Sequence, residues 1–163
     1  MLDAGSILVA LVLLAVANGI PVFARRFFGD RFGMQLDGGA RLADGQPIFG
    51  AAKTIRGIVL SVIGTAVAAA LAGLGWATGA GFAAASMAGD LLSSFVKRRL
   101  RLEVHAQYFG LDQIPEALIP MLAFHDELRL SGADITVAVA AFVVLELVLS
   151  RLLFRLHIRD RPW

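Results

Sequence analysis

An acidic residue lies inside an apolar part of the sequence, directly before a cluster of bases. The stretch is AGDLLSSFVKRRLR, residues 88–101. On an α-helix, Asp90, Ser94 and Lys97 fall at i, i+4 and i+7 and therefore share one face. A carboxylate, a hydroxyl and an ammonium group on one face can bind a metal ion and the oxygens of a phosphate. The spacing predicts a polar site on this helix.

Two further segments supply the same kinds of side chain. FGAAKTIRG places Lys53 and Arg56 one turn apart at the start of a predicted helix, where free N–H groups also attract phosphate. LDQIPEAL places Asp112 and Gln113 at the start of another. Mg²⁺ is commonly held by one or two carboxylates together with phosphate oxygens. Asp90 and Asp112 are therefore candidate Mg²⁺ ligands, and the bases are candidate phosphate ligands.

The composition indicates what kind of protein positions these residues. Of the 163 residues, 58% are hydrophobic and only 17% are charged, whereas about 25% are charged in a typical soluble domain. The chain has no cysteine, which excludes disulfides, thiolate metal sites and cysteine nucleophiles. An ionisable residue inside a membrane span is costly and usually lines a functional site. We therefore predict an all-α, polytopic integral membrane protein that forms a single domain over residues 1–163.

Apolar stretches of sufficient length define the predicted transmembrane helices. A helix crosses a hydrocarbon core of ~30 Å with about 20 apolar residues. Four stretches approach or reach this length, and a fifth, shorter stretch contains a proline that can start a helix. The two loops that carry most of the bases and acids are predicted to be functional and cytoplasmic. The predicted helices cover residues 2–23, 57–76, 79–96, 114–124 and 133–154, and the two cytoplasmic loops cover residues 25–56 and 97–113.

The distribution of bases predicts how the helices are oriented. Short cytoplasmic loops carry an excess of Lys and Arg. Of the 15 Lys and Arg residues, all but Arg129 fall in the two loops or at the C-terminal end of the chain. Five crossings then place the N-terminus outside and the C-terminus inside. We expect a multi-pass protein of the cell (cytoplasmic) membrane.

The order and spacing of these residues resemble a known family. KTIRG, followed by GDLLSSFVKRR and then by LDQ, is similar to the pattern of the CDP-archaeol synthases, integral membrane enzymes related to the CDP-diacylglycerol synthases. The similarity extends over residues 18–113. The matching positions are Asn18, Pro21, Asp37, Gly38, Gly50, Lys53, Thr54, Arg56, Gly57, Gly89, Asp90, Ser94, Phe95, Lys97, Arg98, Arg99, Asp112 and Gln113.

The resemblance implies Mg²⁺-dependent transfer of CMP from CTP to a membrane lipid phosphate, which gives a CDP-activated lipid and pyrophosphate. A phosphate oxygen of the lipid would attack the α-phosphorus of CTP in line, and the protein would supply positioning and charge neutralisation. The expected partners are CTP, the lipid phosphate and the bilayer, with no nucleic acid. Small residues in the second and third helices would permit a homodimer.

This hypothesis gives each site residue an expected role. Asp90 and Asp112 would hold Mg²⁺, and Ser94 would orient a phosphate or a metal-bound water. The predicted catalytic residues are Asp90, Lys97 and Asp112. The bases expected to neutralise the triphosphate and the lipid phosphate are Lys53, Arg56, Lys97 and Arg98. Further candidates for contacts with the metal, the base or the cytosine are Asn18, Asp37 and Gln113.

Other interpretations of the same residues remain open. Asp90 can instead form an ion pair with a nearby Lys or Arg, and Arg99 can be an anchor at the membrane surface. A small transporter or channel would use Asp90 as an ion relay, although it would leave the clusters of bases unexplained. LDGGAR resembles the motif of the CDP-alcohol phosphotransferases, but one residue and the later pair of Asp residues are missing. That second enzyme class is therefore excluded.

Overall fold

The computed structural model describes residues 2–102 and 110–156, and five α-helices account for most of them. Within these residues the only β-structure consists of two isolated bridges in the loop between the first two helices. The all-α prediction is therefore confirmed. Part of the predicted second loop and the C-terminal end lie outside the described residues. The helices are α1 (Ala4–Phe28), α2 (Ile55–Leu71), α3 (Trp76–Arg99), α4 (Gln113–Ala123) and α5 (Gly132–Arg155).

The observed helix bounds differ from the predicted ones around the second and third helices. α2 ends at Leu71 because Gly73 and Gly75 adopt positive φ angles of 78° and 83°, which L side chains rarely adopt. α3 continues to Arg99, so that Lys97 lies on the helix and not in the loop. Bases in a last helical turn interact favourably with the negative end of the helix dipole. The first four residues of the predicted loop 97–113 therefore belong to the helix and its C-cap.

Polar side chains fix the starts of three helices. Asp3 accepts hydrogen bonds from backbone N–H groups at the start of α1, and Thr54 does the same for α2. Ser131 and Asp134 form a reciprocal capping box at the start of α5. The Asp134 carboxylate also accepts a hydrogen bond from the backbone N–H of Asp3. α1 and α5 therefore start at the same end of the bundle and run in the same direction.

The short helix α4 runs antiparallel along α3. Asp112 pairs with Lys97 near the end of α3, and the backbone at Pro115 lies directly against Gly89. At the other end of α4, the Phe124 ring packs on Phe82 with its centroid 6.2 Å away. Gly89 is essential for this arrangement because any side chain there would overlap the α4 backbone. α4 therefore passes from the charged end of α3 towards the start of α3.

The outer faces of the helices are apolar, as the membrane prediction requires. Within the described residues, α1 and α5 have the length and apolar composition of transmembrane helices, and α2 is a shorter apolar helix. Leu8, Ile63, Val67 and Val144 are each more than half exposed. Such continuous apolar surface is typical of lipid contact and unusual on a soluble monomer. The exact number of crossings stays a prediction.

Candidate active site at the charged end of the bundle

The site is built around an ion pair between Lys53 and Asp90. The Lys53 Nζ lies 2.7 Å from Oδ1 and 2.5 Å from Oδ2 of Asp90. Lys53 directly precedes the α2 cap, whereas Asp90 lies within α3. Burial disfavours the charge of Lys53, but the carboxylates of Asp90, Glu116 and Asp112 outweigh this effect and hold the Lys53 pKa above its ordinary value. Lys53 therefore stays protonated among acidic groups.

A second ion pair joins α3 to the start of α4. The Lys97 Nζ lies 2.6 Å from the Asp112 Oδ1, and both side chains are mostly buried. Lys97 lies two turns after Asp90 on α3, as its spacing predicts. Asp90 and Lys97 therefore lie on α3, Lys53 contacts α3 from the start of α2, and Asp112 lies at the start of α4. The structure places the three predicted catalytic residues, Asp90, Lys97 and Asp112, at the same end of the bundle.

Three more predicted site residues are buried beside these pairs. Ser94 is 5% exposed and Arg98 is 6% exposed, one on each side of Lys97 along α3. Gln113 is fully buried, and its Oε1 accepts a hydrogen bond from the Gly110 backbone N–H. The Gln113 Nε2 points away from Gly110 and has no hydrogen-bond partner within the described residues. An unsatisfied buried donor is costly, so Gln113 is suited to binding an acceptor on a ligand.

Glu116 lies beside these residues although it is not among the predicted site residues. Glu116 is 7% exposed in α4 and lies close enough to Asp90, Asp112 and Lys53 for direct electrostatic interaction. It also interacts electrostatically with Glu146 of α5. The available signal was its position, because a carboxylate inside a predicted membrane helix usually faces a polar site.

Asp37 organises the loop that precedes Lys53. Its carboxylate accepts hydrogen bonds from the backbone N–H groups of Phe49, Gly50 and Gly39 at 2.9–3.1 Å. Burial tends to raise the pKa of Asp37, but these three donors outweigh it and hold the pKa below its ordinary value. Both carboxylate oxygens bind the loop backbone, so Asp37 shapes the segment that leads to Lys53.

Arg56 and Asn18 also have partners within the protein. The Arg56 guanidinium donates to the backbone oxygens of Gly29 and Arg31 and lies over the Phe28 ring, so that it caps the end of α1. Asn18 donates from Nδ2 to the hydroxyl of Ser86 at 3.3 Å, and Ser86 lies one turn before Asp90 on α3. Roles for Arg56, Asn18 and Asp37 in ligand binding stay predictions.

Arg99 attaches the first loop to the end of α3. Its Nη1 donates to both carboxylate oxygens of Asp44 at 2.8 Å, and its Nη2 donates to the Pro47 carbonyl oxygen at 2.5 Å. The guanidinium also lies 5.2 Å from the centroid of the Phe95 ring. Arg99 thus fastens the loop shaped by Asp37 beside the two ion pairs.

The side chains at the site limit how a metal ion can be bound. Within residues 2–102 and 110–156, no three His, Cys, Asp or Glu side chains come together as a metal-binding group. Asp90 and Asp112 are instead each paired with a lysine. Any metal bound here must take one or two carboxylates and complete its coordination with ligands from a substrate or from water.

A helical membrane protein with paired acids and bases at one end of its bundle is the class that the fold and site define. A family model described as CarS-like, CDP-archaeol synthase, matches residues 75–163. The CDP-archaeol synthase of Hyperthermus butylicus is 32% identical, with 96% of this chain and 94% of the relative covered. That of Pyrobaculum calidifontis is also 32% identical, with 91% of each chain covered. The chain belongs to the CDP-archaeol synthase family.

A solved structure supports the same assignment. It is described as an intramembrane enzyme for archaeal membrane lipids biosynthesis, and it is 26% identical to this chain. The two structures align with a TM-score of 0.65 over 84% of this chain and 90% of the other. The resemblance inferred from residues 18–113 is therefore confirmed, as is the prediction of a polytopic membrane enzyme.

Proposed function

We propose that the protein transfers CMP from CTP to a membrane lipid phosphate and releases pyrophosphate. Membership of the CDP-archaeol synthase family gives the reaction class. The observation that supports placing the reaction at this end of the bundle is the presence of two ion pairs there, Lys53–Asp90 and Lys97–Asp112. A phosphate oxygen of the lipid forms a bond to the α-phosphorus of CTP, and the bond from that phosphorus to the β-phosphate bridge breaks.

The two lysines and Arg98 neutralise the phosphates in this proposal. Phosphoryl-type transfer needs positioning and charge stabilisation and no covalent enzyme intermediate. In the substrate-free protein the charges of Lys53 and Lys97 are balanced by Asp90 and Asp112. Incoming phosphate groups attract the lysines, and their carboxylates then become available to a cation. The site therefore keeps its charge balanced both before and after substrate binding.

Asp90 and Asp112 fit Mg²⁺ as the cation. Mg²⁺ prefers oxygen ligands and typically takes only one or two carboxylates beside phosphate oxygens and water, which agrees with the paired acids described above. When bound, Mg²⁺ would neutralise charge on the phosphates during transfer. We assign Ser94, which is buried between Asp90 and Lys97 on α3, the role of donating a hydrogen bond to a phosphate oxygen or to a metal-bound water.

Gln113 is the residue we assign to the nucleotide. Its Oε1 accepts from the Gly110 N–H, whereas its Nε2 donor has no partner within the described residues and is the group we assign to a ligand. A donor suits the O2 and N3 acceptors of cytosine, and it suits a phosphate oxygen equally. Glu116, which interacts electrostatically with both Asp90 and Lys53, adds a third acidic side chain beside the Lys53–Asp90 pair.

The position of the site at a membrane surface matches the two substrates. CTP is soluble, whereas a lipid phosphate keeps its chains in the bilayer and exposes only its head group. A charged site at the end of an otherwise apolar bundle is where the two can meet. The excess of bases at this end predicts that it faces the cytoplasm, where we expect CTP.

Purified protein in detergent tests the reaction directly. Labelled CTP, Mg²⁺ and a panel of lipid phosphates are supplied, and CDP-lipid and pyrophosphate are followed together. We expect both products in equal amounts, and at least ~100-fold less in Asp112→Asn, the scale of losing a charge-stabilising group. Asp44→Asn is the matched control because Asp44 also pairs with a base but lies in the loop. Absence of product with every lipid phosphate would refute the proposal.

A further inference from the structure

Gln113 and Glu116 carry a hydrogen-bond donor and a hydrogen-bond acceptor side by side on α4. They lie three residues apart, which places their Cβ atoms ~5–6 Å from each other on one face of the helix. Gln113 is fully buried and Glu116 is 7% exposed. Neither residue takes part in the two lysine–aspartate ion pairs of the site. α4 therefore adds a second kind of polar group to the site, beside the paired charges.

The Gly110 backbone determines which end of the Gln113 amide can bind a ligand. A backbone N–H can only donate, so it binds the Oε1 of Gln113 and leaves the Nε2 on the opposite side. Within residues 2–102 and 110–156, this buried Nε2 has no hydrogen-bond partner. Because an unsatisfied buried donor is costly, the Nε2 is suited to an acceptor that arrives with a ligand.

The charges around Glu116 disfavour a phosphate group at this pair. Its electrostatic neighbours include three acids and one base, Asp90, Asp112, Glu146 and Lys53. An anionic group beside Glu116 would be repelled by several carboxylates, whereas a neutral ring would not. The Gln113–Glu116 pair is therefore suited to a neutral part of the nucleotide.

Cytosine is the neutral part of CTP, and its hydrogen-bonding edge matches this pair. Its N4 amino group donates, and its N3 and O2 atoms accept; carboxylates are common acceptors for the N4 amino group. A carboxyl group keeps an acceptor oxygen in either protonation state. Uracil carries an oxygen in place of the amino group and a hydrogen on N3. It would therefore place an acceptor against Glu116 and a donor against the Nε2 of Gln113.

We propose that Gln113 and Glu116 bind the cytosine base and select CTP over UTP. The Nε2 of Gln113 donates to N3 or O2, and the Glu116 carboxyl accepts from the N4 amino group. The inference rests on the proposed function, because that reaction brings CTP to this site. A site that hydrogen-bonds a substrate group rejects analogues without it, since its buried polar groups are then left unpaired. We expect the wild-type kcat/KM to be at least ~100-fold higher for CTP than for UTP.

The selectivity ratio of Glu116→Gln tests this assignment. The full-length protein in detergent is supplied with Mg²⁺, a lipid phosphate and either CTP or UTP, and kcat/KM is measured for both nucleotides on the same preparation. The ratio of the two values does not depend on how much of the variant is folded. The new amide offers a donor to the O4 of uracil, so the ratio of CTP to UTP should fall at least ~tenfold.

A CTP analogue with hydrogen in place of the N4 amino group isolates the Glu116 contact. In the wild type its kcat/KM should be at least ~tenfold below that of CTP, the scale of one lost hydrogen bond to a buried acceptor. In Glu116→Ala the analogue and CTP should be used equally well, because no acceptor remains for the amino group. A preference for CTP that persists in Glu116→Ala would contradict the contact.

Glu127→Gln is the matched control, since Glu127 is exposed in the connection between α4 and α5. Its ratio of CTP to UTP should equal that of the wild type. An unchanged ratio in Glu116→Gln would overturn the proposal. So would an equal loss for both nucleotides with a raised Mg²⁺ requirement, because Glu116 would then bind the metal. A wild type that uses CTP and UTP equally overturns this inference alone, whereas absence of turnover with either nucleotide refutes the proposed function as well.

Discussion

The Lys53–Asp90 pair allows the structural and catalytic roles of Asp90 to be separated. Asp90→Asn keeps the size of the side chain but removes its charge. The two side chains are 23% and 24% exposed. Surface pairs contribute ~0–1 kcal/mol, whereas breaking a fully buried pair costs ~3–5 kcal/mol. For this intermediate exposure we expect the free energy of unfolding to fall by about 2 kcal/mol.

Turnover should fall by more than this destabilisation explains. Removal of a charge that acts in the transition state should lower CDP-lipid formation at least ~100-fold, equivalent to ~2.7 kcal/mol. A protein that loses about 2 kcal/mol from a typical stability of ~5–15 kcal/mol remains folded. Turnover over a Mg²⁺ titration and thermal unfolding are therefore measured on the same preparation. The fraction of folded protein then accounts for only a small part of the lost activity.

The double variant Lys53→Gln/Asp90→Asn provides the control. Removing both charges leaves no unpaired ammonium, so stability should recover to within ~1 kcal/mol of the wild type. Turnover should remain as low as in the single variant. Near-normal turnover in Asp90→Asn would refute the reasoning. Recovery of turnover together with stability in the double variant would do so as well, because Asp90 would then serve only to neutralise Lys53.

Three further predictions concern helix packing, the loop and the orientation. Gly89→Ala should lower stability by ~1–3 kcal/mol and reduce turnover, because the methyl group would displace α4. Gly19→Ala is the control: its methyl group meets open space inside α1, so the rate should stay unchanged and stability should rise by up to ~1 kcal/mol, the gain in helix propensity. Asp37→Ala should accelerate hydrogen exchange at the Phe49 amide. In the wild type that protection should persist from pH 7 to ~5, because the Asp37 pKa is lowered and its carboxylate is protonated only when the pH falls through that lowered pKa. Loss of protection by pH 5 would contradict this. Ala43→Cys should react with reagent from the cytoplasmic side and Ala77→Cys from outside, in a chain without other cysteines; labelling from one side would disprove the orientation.

Helical spacing explains why part of the site was predictable. Asp90, Ser94 and Lys97 lie on one continuous helix, so the 3.6-residue period alone brings them to one face. The partners of these residues were not predictable in the same way. Lys53 and Asp90 are 37 residues apart, and their contact depends on how α2 packs on α3. The structure pairs Asp90 with Lys53, as the alternative interpretation allowed, and the role of Asp90 as a metal ligand stays a prediction.

The first loop shows where sequence reasoning reached its limit. Residues 29–54 have no apolar period, so their fold depends on individual hydrogen bonds that no pattern reveals. The carboxylate of Asp37 binds backbone N–H groups of the loop, and its predicted role in ligand binding stays a prediction. The sequence favours Arg99 as an anchor at the membrane surface, and the structure adds its partners, Asp44 and the carbonyl oxygen of Pro47. In both cases the residue type indicated a polar contact, but the sequence did not indicate which group the side chain contacts.

α3 is the element through which the parts of the site depend on one another. It carries Asp90 and Lys97, it holds the first loop through Arg99, and it touches α4 at Gly89 closely enough to exclude a side chain. A small shift of α3 would therefore alter both ion pairs and the loop together. This coupling explains why these charged groups are tolerated at the end of an apolar bundle. Lys53–Asp90, Lys97–Asp112 and Arg99–Asp44 are each paired across an element boundary, so their attraction also holds the helices and the loop in place. In the proposed reaction, substrate phosphates draw Lys53 and Lys97 away from their carboxylates, and a cation then binds these carboxylates. The contacts would loosen only during this exchange, so substrate binding and the integrity of the site are linked.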